Sequence, residues 1–173
     1  DTPVIGTDFY PTILALAGLP LRPEQHVDGV SLAPLLAGGA IAPRPLFWHY
    51  PHYGNQGGEP ASFVRDGDWK LIHYWEDGRN ELYDLARDVG ERDDRAAREP
   101  GRAAALWAEL RAWLAATGAK TPLPNPAYRE EWGERQRREA VTLKAALEKE
   151  HARYLDPDWQ PNPTWWGSLA PKD

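Results

Sequence analysis

The 173-residue chain contains no cysteine and no methionine. Without cysteine it forms no disulfide, holds no thiolate-ligated metal and offers no cysteine nucleophile; the compartment stays open. Long apolar runs are missing too. None approaches the roughly 20 residues needed to cross a bilayer, and the start does not have the layout of a signal peptide. The opening stretch, DTPVIGTDFYPT, reads as cut from a longer polypeptide. An excess of one charge is also lacking: 20 basic residues stand against 26 acidic ones, a net charge of −6. That balance has no electrostatic footprint for nucleic acid. The expected partners therefore include no nucleic acid and no membrane span. Abundant instead are proline, with 17 residues, and tryptophan, with nine, and the 42% hydrophobic content argues against wholesale disorder.

Along the chain, Thr7 or Asp8 can cap a short helix, PTILALAG, with Gly18 at its C-terminal stop. This helix is apolar nearly all round, which implies burial on more than one side. A loop rich in proline and polar residues follows, with Asp28-Gly29 as a turn and His26 exposed. Ser31 can cap a second short helix, LAPLLAG. From about residue 44 the character changes. PLFWHY, the two halves of ASFVRDGDWKLIHYW around Asp66-Gly67, and ELYDL predict an antiparallel meander of about four strands. Both faces of the third strand carry bulk, so part of it should be covered. A charged connection leads to a helix from Pro100 to Thr117. Leu106, Leu110, Trp113 and Leu114 give it one apolar stripe, and Trp107 is read as core. The fold class is α+β, a small antiparallel sheet against a long helix. KTPLPNPAY is extended and proline-rich. Residues 129–155 form a charged helix with Glu131–Arg135 and Glu134–Arg138 pairs, and a tail with Trp159, Trp165 and Trp166 either packs back onto protein or stacks on carbohydrate.

RPLFWHYPHYG, residues 44–54, holds two histidines three apart, His49 and His52, among Phe47, Trp48, Tyr50 and Tyr53. Pro51 rules out a shared helical face, and an odd spacing in a strand points the two rings to opposite sides. No carboxylate cluster is close in sequence, Glu59 being the nearest, which disfavours a metal site. Two readings remain: polar positions at a strand end, or contact with a sugar, whose apolar ring face and hydroxyl rim suit aromatic and imidazole partners. Lys70 reads as solvated, His73 as partly buried, and Arg65 with Asp66 as a structural salt bridge.

Five stretches in order, TDFYPTILALAGLPL, DGVSLAPLLAGG, RPLFWHYPHYG, FVRDGDWKLIHY and ELYDLARDVGERDD, resemble the C-terminal end of a type I, formylglycine-dependent sulfatase of the alkaline phosphatase superfamily. The resemblance spans residues 4–118. It implies that residues 1–43 end a large α/β catalytic domain and that residues 44–118 form the small C-terminal subdomain. Residues 119–173 are then an extension made of the proline-rich segment, the charged helix and the tail. One departure is Asp-Arg-Ala at 94–96, where relatives commonly have Asn-Leu-Ala, so Arg95 bears on a small anchoring contact.

The chemistry implied by the resemblance lies elsewhere in the parent enzyme. Its formylglycine arises from a cysteine in a Cys-x-Pro-Ser-Arg motif, and its calcium is held by Asp and Asn side chains of the large domain. This chain contains neither, so no catalytic or metal residue is assigned here and the chain alone is expected to be inactive. The implied partners are a sulfated small molecule or carbohydrate and the protein's own N-terminal catalytic domain. In such enzymes the loop after the first strand of the small domain comes near the mouth of the cleft, which makes His49, His52 and Tyr53 the candidate substrate-binding residues. A periplasmic or secreted location is implied as well. The alternatives are a free-standing carbohydrate-binding module and a related phosphate or phosphonate ester hydrolase.

Overall fold

The computed structural model describes residues 2–54 and 58–160, apart from the side chain of Gln136. Trp165 and Trp166 lie outside the described residues. The chain divides into two compact units, Asp1–Leu123 and Pro124–Asp173.

In the first unit a 3-10 turn, Gly6–Asp8, leads into α1 (Phe9–Leu16), followed by α2 (Ala33–Leu36). Four strands come next: β1 (Leu46–Tyr50), β2 (Ala61–Asp66), β3 (Trp69–Tyr74) and β4 (Asn80–Asp84). They pair antiparallel in sequence order as a simple meander. The β2–β3 connection works because Gly67 takes the left-handed conformation, φ 56°, that a two-residue hairpin demands. The meander predicted from alternation and turn chemistry is present, and α3 (Pro100–Ala116) covers one face of it.

Register explains that face. Phe47, Val64, Leu71 and Leu82 fall on one side of the pleat. Val64, Leu71 and Leu82 form a single core with Ala103, Leu106, Leu110 and Leu114 of α3. Trp113 stacks on Phe47 at 5.0 Å. On the opposite side Trp48 stacks on Phe63 at 4.7 Å. Lys70, expected to be solvated, instead lies 4.7 Å above the Phe63 ring and pairs with Glu91 at 2.7 Å. Leu71, Ile72 and His73 are all buried, so β3 is covered on both faces. Gly118, φ 63°, ends α3: the Ala119 N–H bonds the Leu114 carbonyl and the Gly118 N–H that of Ala115.

Asp94 accounts for the tolerance of Arg95. Its carboxylate accepts from the N–H groups of Leu82 and Ala96, and the Arg95 N–H bonds the Leu82 carbonyl. The Arg95 guanidinium lies over Trp69 at 5.7 Å and pairs with Glu99, so the longer side chain finds room outside the anchor. Arg65 does not bridge to Asp66. Its Nε donates to the Gly67 carbonyl, because adjacent strand residues point to opposite faces.

The N-terminal segment departs most from expectation. Within the chain α1 is not buried on several sides: Pro11 and Thr12 are buried and Leu14 and Ala15 half-buried, while Phe9, Ile13 and Leu16 are each more than 60% exposed. Eight residues laid on a loop can bury one face, and the apolar side chains of the other faces stay exposed. Asp8 does sit at the N-cap position, but its carboxylate makes no capping bond. It is fully buried, accepting from the Ile5 and Val30 N–H groups and from Arg44. Here the chain crosses itself closely, and a Cβ on Gly29 would run into the Thr7 carbonyl oxygen. Gly29→Ala is therefore expected to cost about 1–3 kcal/mol as an overpacking change, read as a lower urea midpoint. Gly18→Ala tests conformation alone, since its left-handed φ of 68° has open space around it. Nor is His26 a plain exposed loop residue: it is half-buried, meets Tyr10 edge-on at 6.3 Å and bonds the Gly29 carbonyl through Nδ1.

The second unit contains α4 (Glu130–Tyr154), with Glu130 and Glu131 at its start and His151 and Arg153 in its last turn, matching the helix dipole. Glu134 pairs with Arg138 as expected, while Arg135 reaches Glu139 rather than Glu131. Trp159 packs edge-on against Tyr154 at 5.0 Å. No helix among the described residues is long and apolar enough to cross a membrane.

Candidate functional site

β1 is an edge strand, and its C-terminal end carries the histidines. His49 lies on the α3-facing side, opposite Ser62 of β2. Its Nδ1 is 2.6 Å from Ser62 Oγ and its Nε2 is 3.0 Å from the Lys120 carbonyl oxygen. In a neutral ring only a protonated Nε2 can donate to that carbonyl, and Nδ1 then accepts from the Ser62 hydroxyl. Ser62 is fully buried and in turn accepts the indole N–H of Trp75 at 2.8 Å. The result is a directed chain: Trp75 donates to Ser62, Ser62 to His49, and His49 to the backbone of Lys120. His73 extends the cluster, stacking on Trp107 at 3.9 Å and bonding Asn80 Oδ1 at 2.8 Å. Trp107 is thus half core and half ring partner.

His52 is placed differently. It follows Pro51 beyond the end of β1, is exposed, and meets the Tyr50 ring edge-on at 5.5 Å. Tyr53 is exposed next to it. The structure therefore keeps His52 and Tyr53 together at the strand end and turns His49 inward, where both of its ring nitrogens are engaged with protein. Ser62, Trp75 and Lys120 belong to this network and went unassigned in the sequence. Ser62 has one usable signal, a polar residue at an inward position between Ala61 and Phe63.

The turn at 75–79 lies at the same end of the sheet. The Arg79 guanidinium bonds Glu59 and Asp77 at 2.8 Å and Glu81 at 3.1 Å, and covers the Tyr74 ring at 3.7 Å. Burial opposes its charge, but the hydrogen bonds to the three carboxylates outweigh that and hold its pKa above the usual arginine value. The Arg79 backbone and side-chain N–H groups pull Asp77 below the ordinary carboxylate range. Tyr83 is pushed well up, by burial first and then by its hydrogen bond to Glu81. Glu59, the carboxylate nearest the histidines in sequence, is thus committed to Arg79.

Among the described residues there is no group of three or more His, Cys, Asp or Glu side chains that could hold a metal ion. The sequence also has no cysteine from which a formylglycine could arise, so no step is assigned to that group or to calcium here. A cavity of about 280 Å³ opens at the other end of β1, among Ile5, Val27, Val30, Arg44, Phe47 and Trp113. At about 3.3 Å per strand residue, the span from Pro45 to Tyr50 separates it from His52. Its apolar walls suit protein packing better than a sulfated sugar.

Residues 1–118 match the family described as N-sulphoglucosamine sulphohydrolase, C-terminal. A sulfatase of Formosa agariphila is 36% identical over 129 residues, covering 66% of this chain and 23% of that protein. A solved 2-O glycosaminoglycan sulfatase superposes with a TM-score of 0.56 at 28% identity, over 65% of this chain and 25% of the other. A second solved relative, in complex with its substrate D-glucosamine-2-N,6-O-disulfate, gives 0.53 at 27% identity, over 62% and 23%. The chain spans about a quarter of the length of these relatives.

Proposed function

Since the chain belongs to the N-sulphoglucosamine sulphohydrolase C-terminal family of sulfatases, we propose that it is the C-terminal part of an enzyme hydrolysing sulfate esters of carbohydrates. The observation that carries this reading is the family match running through α1, the whole meander and α3 without a break. The sulfated glucosamine bound by one relative supports the substrate class.

On this reading the exposed apolar residues of the N-terminal segment, Phe9, Ile13 and Leu16 among them, are covered by the enzyme's own catalytic domain. At about 25 cal/mol per Å² of apolar surface removed from water, such a face strongly favours being covered. The nucleophile, a formylglycine, and the calcium that stabilises charge on the sulfuryl group belong to that domain. This chain walls one side of the cleft and presents His52 and Tyr53 to the leaving-group sugar. An aromatic ring stacks on the apolar sugar face, and an imidazole bonds its hydroxyl rim. His49 leaves the list of direct contacts, because its ring nitrogens are already engaged by Ser62 and Lys120.

The test is release of inorganic sulfate from sulfated glucosamine and hexuronate saccharides by the complete polypeptide, with the isolated chain as the inactive control. Absence of turnover on every sulfated saccharide would sink the reading. His52→Ala in the complete enzyme is expected to raise KM by about 3–10-fold, the worth of one hydrogen bond, while calcium affinity stays unchanged. A loss of calcium affinity instead would assign His52 to the metal.

A further inference from the structure

The network that draws His49 inward ends on the backbone of Lys120, 71 residues further along the chain. Lys120 lies just outside the family match, which ends at residue 118. It follows the end of α3 directly: Gly118 reverses the chain, Ala119 packs against the core, and His49 fixes the next carbonyl. The Lys120 backbone is thereby held at the C-terminal end of β1, the strand end from which His52 and Tyr53 emerge.

The charges at this end divide unequally. Arg79 is bound to Glu59, Asp77 and Glu81 together, so it is spent on carboxylates and they on it. Lys120 is exposed, and its ammonium has no ion pair among the described residues. A lysine stem reaches roughly 6 Å from its backbone, so the ammonium can sample the surface around that strand end. We propose that Lys120 is a specificity-determining cation for a second anionic group of the substrate, a carboxylate or sulfate outside the ester being cleaved. His49 is its positioning residue, bonded directly to the Lys120 carbonyl and itself held by Ser62 and Trp75. This inference rests on the sulfatase reading.

The experiment compares two substrates of the complete enzyme: a neutral aryl sulfate, and a sulfated disaccharide that carries a uronate. Lys120→Gln is expected to raise KM for the disaccharide about 10-fold, the loss of one charge-assisted contact, with kcat unchanged and aryl sulfate turnover within about 2-fold. Lys120→Arg restores most of the loss, and added salt narrows the gap between wild type and Lys120→Gln. His49→Gln should produce a similar rise in KM for the disaccharide and add little on top of Lys120→Gln, because both changes remove the same contact.

Equal KM values for wild type and Lys120→Gln would overturn the proposal, as would an equal loss on both substrates. Full additivity of the two replacements would remove His49 from the positioning role. Lys120 is exposed and outside the core, so its replacements keep the test meaningful even where a His49 variant folds poorly. Turnover without dependence on Lys120 sinks this inference alone, whereas absence of any sulfate release by the unmodified enzyme sinks the sulfatase reading and this inference with it.

Discussion

Replacing Asp8 with alanine is expected to destabilise the first unit by about 3–5 kcal/mol, the cost of stranding a buried charge. Asp8 is fully buried, and both carboxylate oxygens lie 2.6 Å from Arg44 Nη2. The same oxygens accept the N–H groups of Ile5 at 2.9 Å and Val30 at 3.0 Å. The Asp8 carbonyl takes the Thr12 hydroxyl, which in turn accepts the Leu32 N–H. The side chain thus ties Ile5, Val30 and Arg44 together, while the Asp8 carbonyl holds the Thr12 hydroxyl that anchors Leu32. Alanine leaves the guanidinium uncompensated and two backbone donors unpaired. Asp8→Asn is no remedy, because the amide nitrogen it introduces presents hydrogens where Arg44 or a backbone N–H needs an acceptor. Against a typical stability of about 5–15 kcal/mol for a domain, the loss is large, and urea unfolding should show a lower midpoint at unchanged slope. A cycle with Arg44→Ala separates the parts. The double variant is expected to recover only the stranded-charge portion, a coupling of about 0.5–3 kcal/mol, while the two unpaired N–H groups continue to cost.

That hub is also where the sequence is hardest to read. Asp8 followed by an apolar run has the look of a helix cap, and it does occupy the N-cap position. Its partner Arg44 stands 36 residues away with no local pattern linking the two. Helix periodicity and strand alternation are local signals, so α3 and the four strands could be foreseen from Leu106, Leu110 and Leu114 and from the Asp66-Gly67 turn. A buried ion pair between distant loops has no such signature. The exposure of α1 has the same origin: hydrophobicity shows that a face wants cover but not whether the cover lies in this chain.

The site was legible in halves. Pro51 ends β1 between His49 and His52, so the second ring lies outside the strand, where parity no longer governs it. Which ring turns inward depends on register, and register depends on Ser62 standing opposite His49. The Lys120 contact is further removed, since it follows from the length of α3 and the reversal at Gly118 rather than from any motif. Chemistry set by long-range backbone placement reaches the sequence only as an ordinary lysine in a proline-rich stretch.

Leu110→Ala is expected to cost the first unit about 2–5 kcal/mol, and nearer the upper figure. Leu110 is fully buried at the middle of α3, and its cluster includes Val64, Leu71 and Leu82, one from each of three paired strands. A hydrogen-bonded sheet on one side and a helix backbone on the other cannot close around the missing atoms, so most of the cavity persists. Leu114→Ala should cost less. Leu114 lies in the last turn and keeps 6% of its surface exposed, so the helix end, with fewer neighbours than the middle, can settle into the gap. Leu110→Met preserves volume and should stay within about 1.5 kcal/mol. Urea midpoints of the three variants give this order, and a Leu114→Ala loss equal to that of Leu110→Ala would mean that the helix end is as rigid as its centre. The comparison bears on Lys120 as well, because the last turn of α3 delivers it to His49. If Leu114→Ala lets that turn settle, the disaccharide KM should rise in this variant well below its unfolding midpoint. Leu110→Ala, which lowers stability without moving the helix end, should keep the wild-type KM at the same temperature.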